Sequence, residues 1–249
     1  MKSIIICEGE TDFVFLQHFM IRANGWNNFK NKSEKPNPSF KPEGIENLES
    51  RDFIKGSDLL TIISCGGCGN IKTVFEKVRR KNQNEIFDEE RYSKIVVITD
   101  NDEDGVEEKI VSGLTSAYGT SVTISNNAWT DLSFQDMTGN SFSSKLLLLV
   151  IPFDEHGALE TFLLNSVSEQ NPYDAEIIRK AREFVGSADP EKRYLTHRGF
   201  KTKAELYAYF SVRIDYTPNQ LKKRKEILTN VPWEEYENIQ ESFKELRKL

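Results

Sequence analysis

Apolar positions repeat in a regular order through the first two thirds of the chain. Residues 3–7 (SIIIC) form a short continuous run, rich in β-branched side chains, that stops abruptly at Glu8-Gly9. Such a run predicts a strand covered on both faces, most naturally a parallel one. Behind it, Phe13, Leu16, Phe19, Met20 and Ala23 recur at helical spacing, with Thr11 placed to cap the helix. The same unit follows twice more. Residues 59–64 read as a strand, 65–69 as a turn, and Ile71, Val74, Phe75 and Val78 as a helix face. Residues 94–99 (KIVVIT) read as a strand, 100–105 (DNDEDG) as a turn, and Val106, Ile110 and Leu114 as a third helix face. A fourth strand is predicted at 145–151.

Strands alternating with amphipathic helices imply an α/β fold with a parallel sheet and helices on both faces. The polar stretches 24–57 and 120–144 read as loops or insertions, with short strand character around 122–124. From Asp174 onward the pattern is helical. Ile177, Ile178, Ala181, Phe184 and Val185 form one face, and Leu206, Tyr207 and Phe210 a second. Trp233, Tyr236, Ile239, Phe243 and Leu246 form a third. The expected division is an α/β domain over 1–165 with a helical C-terminal extension over 166–249 packed on it.

The 249 residues carry a net charge of −6. That balance argues against a passive nucleic-acid coat, which presents a basic field. It is compatible with an enzyme whose carboxylates hold metal, since bound cations reverse the local charge. No apolar run reaches bilayer length, and the apolar start is too short for a secretory signal. A cytoplasmic location is the expectation, without membrane contact. Three cysteines give no disulfide framework.

Two acidic clusters fall directly after predicted strands, where ligands of open α/β sheets bind. The first is Glu8-Gly9-Glu10-Thr11-Asp12 and the second Asp100-Asn101-Asp102-Glu103-Asp104. Converging carboxylates repel one another unless a hard cation such as Mg²⁺ or Mn²⁺ joins them. Glu10 and Glu103 read as solvated helix-start acids, and Asp104 reads equally well as an N-cap. The DNDEDG segment opens like an EF-hand loop. The twelfth position of such a loop requires Glu and here is Val111, on an apolar helix face. Two further patterns carry no prediction of function. GGCGNIKT has Ile71 where a phosphate-binding loop needs Gly, so ATP binding is not expected. Cys65-x-x-Cys68 has no partner pair and reads as small residues packing a turn.

Together, EGETD after one strand and TDNDEDG after a later one resemble the two signature motifs of the Toprim domain. That family includes topoisomerases, bacterial primases, recombination proteins and OLD-family nucleases. The resemblance implies a Rossmannoid sheet. It assigns acid/base or metal-binding work to Glu8 and Mg²⁺ binding to Asp100 and Asp102. Further segments resemble the OLD-nuclease branch and its small stand-alone relatives. These are a second acid four residues after the first, Asp12; the glycine-rich turn at 66–70; and Leu159-Glu160 opening a helix after the fourth strand. A late lysine, Lys203 rather than Lys201, completes the set. Where the branch often carries a small hydroxyl residue, this chain has Ala158.

The resemblance thus implies a metal-dependent nuclease. Glu8, Asp12, Asp100, Asp102 and Glu160 would act as metal ligands, and Glu8 and Lys203 as catalytic groups. Nucleic acid, DNA or RNA, would be its partner. The chain has no room for an ATPase domain of the OLD kind, so it would act alone or with an ATPase supplied by another chain. The alternatives are a primase-like nucleotidyl transferase and a non-catalytic Toprim module that binds nucleic acid or a protein. Residues 192–203 and 222–225 are basic patches suited to phosphate contacts.

Overall fold

The computed structural model describes residues 1–29, 40–119, 121–213, 228–229 and 231–249. The basic run at 222–225 lies outside them. Two compact units interleave along the chain. The first comprises residues 1–99, 105–150 and 245–249, and the second 100–104 and 151–244.

The first unit is built on a seven-stranded sheet. Its strands are β1 (Lys2–Cys7), β2 (Asn27–Asn28), β3 (Glu49–Lys55), β4 (Asp58–Ser64), β5 (Tyr92–Asp100), β6 (Trp129–Gln135) and β7 (Ser141–Ile151). They lie in the order β2-β3-β4-β1-β5-β7-β6. The centre is parallel: β1 pairs with β4 on one side and β5 on the other, with Cys7 beside both Ser64 and Ile98. Helices α1 (Glu10–Asn24), α2 (Ile71–Asn84) and α3 (Val106–Tyr118) follow β1, β4 and β5. One face of the sheet, with Ile4, Ile6, Ile95 and Val97, shares a core with Val74, Phe75, Ile110 and Leu114 of α2 and α3. The other face is covered by α1, where Phe15, Leu16, Phe19 and Met20 are buried. The Rossmannoid α/β class expected from the sequence is therefore present.

The flanks depart from the sequence reading. Residues 24–57 do not form one long loop, because β2 and β3 lie within them and pair antiparallel. β3 (ESRDFIK) buries Asp52 and Phe53 but leaves Arg51 exposed, so its mostly polar sequence lacks the run of a two-sided strand. Within 120–144 no strand lies at 122–124; β6 occupies Trp129–Gln135, and β7 begins at Ser141 rather than at the predicted 145. In β6, Leu132 and Phe134 are buried while Asp131 and Ser133 face solvent. Arg91 anchors this side. It is buried, donates to Asp136 at 2.8 Å, and stacks 4.2 Å from the Phe142 ring centre. The last residues also belong to this unit: Leu246 and Leu249 are buried, and Glu245 accepts from the Trp129 indole at 2.6 Å.

The second unit is helical, with α4 (Leu159–Gln170), α5 (Pro172–Ala188), α6 (Arg198–Arg213) and α7 (Glu237–Ser242). Asn171 caps α5 by accepting from the Tyr173 and Asp174 amides, so the helix starts at Pro172 rather than Asp174. Tyr209, Phe210, Trp233, Ile239 and Phe243 are fully buried, and Phe210 meets Trp233 edge-on with ring centres 6.3 Å apart. Two residues placed in the core by periodicity are not there: Phe184 is 65% exposed and Tyr207 39%. Among the described residues, no helix is long and apolar enough to cross a membrane.

Candidate functional site

In the first unit, β1 delivers Glu8 to the end of the sheet. Thr99, the neighbour reached across the β1–β5 pair, is buried and donates its hydroxyl to Glu8 Oε2 at 2.8 Å. Asp12 lies one helical turn into α1. Its carboxylate accepts the Gly9 amide at 2.7 Å, half of a capping box, and its side chain is buried. The helix therefore starts at Glu10 with Gly9 as its cap, two residues before the predicted cap Thr11. The following strand-turn closes onto this corner. Cys65 donates its amide to Cys7, and Gly67 to the Glu8 carbonyl, both at 2.9 Å. The turn demands glycine: Gly66 has φ +70°, and a side-chain carbon there would lie 2.8 Å from the Glu46 carbonyl oxygen.

Burial, then the negative charge of Glu8 and Asp12, push the Cys65 thiol up to about 12. Burial foremost also raises Cys7, with Asp12 adding to it. These two carboxylates consequently define an electronegative corner, and the buried cysteines are inert packing groups there. Cys68 is exposed.

In the second unit, Asp100 Oδ1 accepts the Leu159 amide at 2.9 Å, at the first turn of α4. The α4 cap residue, Ala158, offers no side-chain acceptor, so Asp100 supplies the acceptor from elsewhere in the chain. Asn101 fixes this corner. Its backbone pairs with Gly157 in an antiparallel bridge, and its side chain donates to the Pro152 carbonyl at 2.9 Å. Glu160, the next residue of α4, is 2% exposed, and its Oε1 has no hydrogen-bond partner among the described residues. Asp102 is half-buried, while Glu103 and Asp104 are exposed. Asp104 faces His156 at 3.2 Å and does not cap α3, whose cap is Gly105 with φ +73°.

Lys203 is exposed on α6, and Lys201 lies 3.9 Å from Glu205. Asp100 and Glu160 are thus brought to one helix start in the second unit, and Glu8 and Asp12 to one corner in the first. The sequence reading missed the groups that orient them, Thr99, Asn101 and the Leu159 amide. Only the D-N-D spacing hinted at Asn101. All candidate ligands are carboxylate oxygens, the donor set of Mg²⁺ or Mn²⁺ rather than zinc or copper. Among the described residues, no three His, Cys, Asp or Glu side chains are already gathered as a metal cage.

No curated protein matches the chain. Among solved structures, hypothetical protein PH0156 from Pyrococcus horikoshii OT3 is similar at 17% identity, over 92% of each chain, with a TM-score of 0.48. Over residues 2–248 the sequence matches the family described as "Protein of unknown function (DUF3226)", and the chain belongs to that family.

Proposed function

We propose that this chain performs Mg²⁺- or Mn²⁺-dependent phosphodiester chemistry on nucleic acid, as a nuclease. The observation that carries the reading is the Glu160 carboxylate. It is 2% exposed, keeps Oε1 without a partner among the described residues, and adjoins the Leu159 amide that holds Asp100. An unsatisfied buried oxygen is costly, and a hard cation is the partner that satisfies a carboxylate best. Asp100, Asp102 and Glu160 in the second unit are the ligands this assigns. Within the first unit, the Toprim resemblance assigns metal binding to Glu8 and Asp12. A bound ion supplies Lewis acidity toward phosphate and water. Thr99 holds one Glu8 oxygen, leaving the other to accept a proton. Lys203 offers a compact positive charge for phosphate oxygens.

A non-catalytic module is the second reading, and it too has an observation behind it. Asp12 and Asp100 each accept a backbone amide at a helix start, a structural task that needs no metal. Calorimetric titration with Mn²⁺, paired with cleavage of a labelled oligonucleotide, separates the two. The nuclease reading expects wild-type binding and metal-dependent cleavage, both lost in Asp100→Asn/Asp102→Asn. Equal Mn²⁺ binding by that double variant refutes the ligand assignment, and binding without cleavage favours the module.

A further inference from the structure

The second unit carries a feature that the carboxylate chemistry does not use. Phe184 and Tyr207, together with Tyr194 from the α5–α6 connection, line one open groove with Ala188, Ala204 and Ala208. Their exposures are 65%, 39% and 81%. Single exposed apolar residues are ordinary, whereas large rings gathered on one groove mark a binding surface. Tyr194 is held outward by construction. The Asp189 carboxylate accepts the amides of Arg193, Tyr194 and Leu195 at 3.0, 2.8 and 2.8 Å, which fixes the connection and with it the ring.

Charge identifies the occupant. Residues 174–213 hold nine basic and six acidic side chains, an excess of three positive charges in a chain of net −6. Several of the acids are already engaged: Glu176 with Arg179 and, at 3.4 Å, with Lys180, Glu183 with Arg179, Glu191 with Arg193, and Asp189 with the three amides. Lysines sit one turn before two of the rings, Lys180 before Phe184 and Lys203 before Tyr207, on the same helical stripes. Lys192 is exposed beside Tyr194 in the connection.

We propose that this face binds single-stranded nucleic acid, with bases stacked on Phe184, Tyr194 and Tyr207 and phosphates held by the adjacent lysines. Rings alternating with cations match the alternation of base and phosphate along an open strand. A duplex keeps its bases stacked internally and offers these rings nothing to stack on. A second copy of the chain would bring the same excess of positive charge against itself. The inference deepens the nuclease reading by naming its substrate class, and it rests on that reading only in linking the bound strand to a cleavage reaction.

The test is fluorescence anisotropy of a labelled oligothymidylate of about 20 nucleotides, with the full chain in EDTA at low and moderate salt. Binding is expected to weaken steeply with salt as counterions are released. Each lost stacking ring lowers affinity roughly 5- to 100-fold, so Phe184→Ala/Tyr194→Ala should nearly abolish binding. Both rings are exposed, so circular dichroism should be unchanged. A blunt duplex of equal length should compete poorly. Absence of binding, equal binding by the double variant, or equal affinity for the duplex each overturns the inference. So does a wild-type dimer that this double variant dissociates in sedimentation, since the face would then serve a second copy. EDTA separates the two proposals. A wild-type chain that binds Mn²⁺ but no strand defeats this one alone, and a wild-type chain that binds the strand but no Mn²⁺ defeats only the metal assignment.

Discussion

Glu160→Gln should raise the stability of the metal-free protein and remove its response to Mn²⁺. The substitution preserves shape and replaces the carboxylate of a side chain that is 2% exposed, with Oε1 unpartnered among the described residues. Two effects oppose each other. Glu160 lies in the first turn of α4, where an acid gains about 0.3–1 kcal/mol from the helix dipole. Glutamine leaves an amide atom equally unpaired there, so the substitution relieves only the extra cost of burying a charge, which reaches several kcal/mol per ion. That term is larger than the dipole gain, so the variant gains on the order of 1 kcal/mol in EDTA. For a chain of this size that corresponds to a rise of about 2–4 °C in Tm. Metal reverses the ranking. At Mn²⁺ about 100-fold above its dissociation constant, the wild type gains about 2.7 kcal/mol and the variant nothing. Thermal melts followed by circular dichroism, with and without Mn²⁺, read both numbers. A variant that melts lower in EDTA and still shifts with Mn²⁺ like the wild type would refute the reasoning on both counts.

Other outcomes follow from local geometry. The Thr138 hydroxyl, the Asn140 and Thr138 amides and Arg91 hold Asp136 down at about 2. A depressed folded value gives stability that is present above the ordinary carboxylate range and lost as pH falls toward 2. Asp136→Asn should therefore flatten the fall of urea midpoints between about pH 4 and pH 2; an unchanged slope counts against this role. Gly66→Ala places a carbon 2.8 Å from the Glu46 carbonyl at φ +70°, and should cost at least about 1 kcal/mol of stability, read as a lower urea midpoint. A midpoint equal to wild type would show that the turn has another way to close. With Cys65 pushed up to about 12 and Cys7 raised by burial, a thiol reagent at neutral pH should label Cys68 alone. Rapid modification of three thiols per native chain would contradict this burial.

The central architecture was legible because burial on both faces writes an unambiguous pattern. The runs at 3–7, 59–64 and 94–99 became β1, β4 and β5 because their side chains have no polar environment to meet. The flanking strands were illegible for the converse reason. β3 and β6 lie in antiparallel pairs with solvated positions, so Arg51, Asp131 and Ser133 diluted the signal to that of a loop. Acids after strands were equally visible, but not the tasks they share with the backbone. Asp12 reaches back to the Gly9 amide and Asp100 reaches the Leu159 amide, and nothing in their spacing reveals either partner. Periodicity failed in one further, instructive way. It places Phe184 with Val185 and Tyr207 with Phe210 on apolar stripes, because an aromatic ring counts the same whether it fills a core or waits for a ligand. Only packing tells the two apart. Val185 and Phe210 are buried, while the two aromatic rings open onto a groove, each with a lysine four residues before it on its helix. The proposed single strand would match that arrangement, since it brings both a flat face and a negative charge to a ring with a cation one turn away.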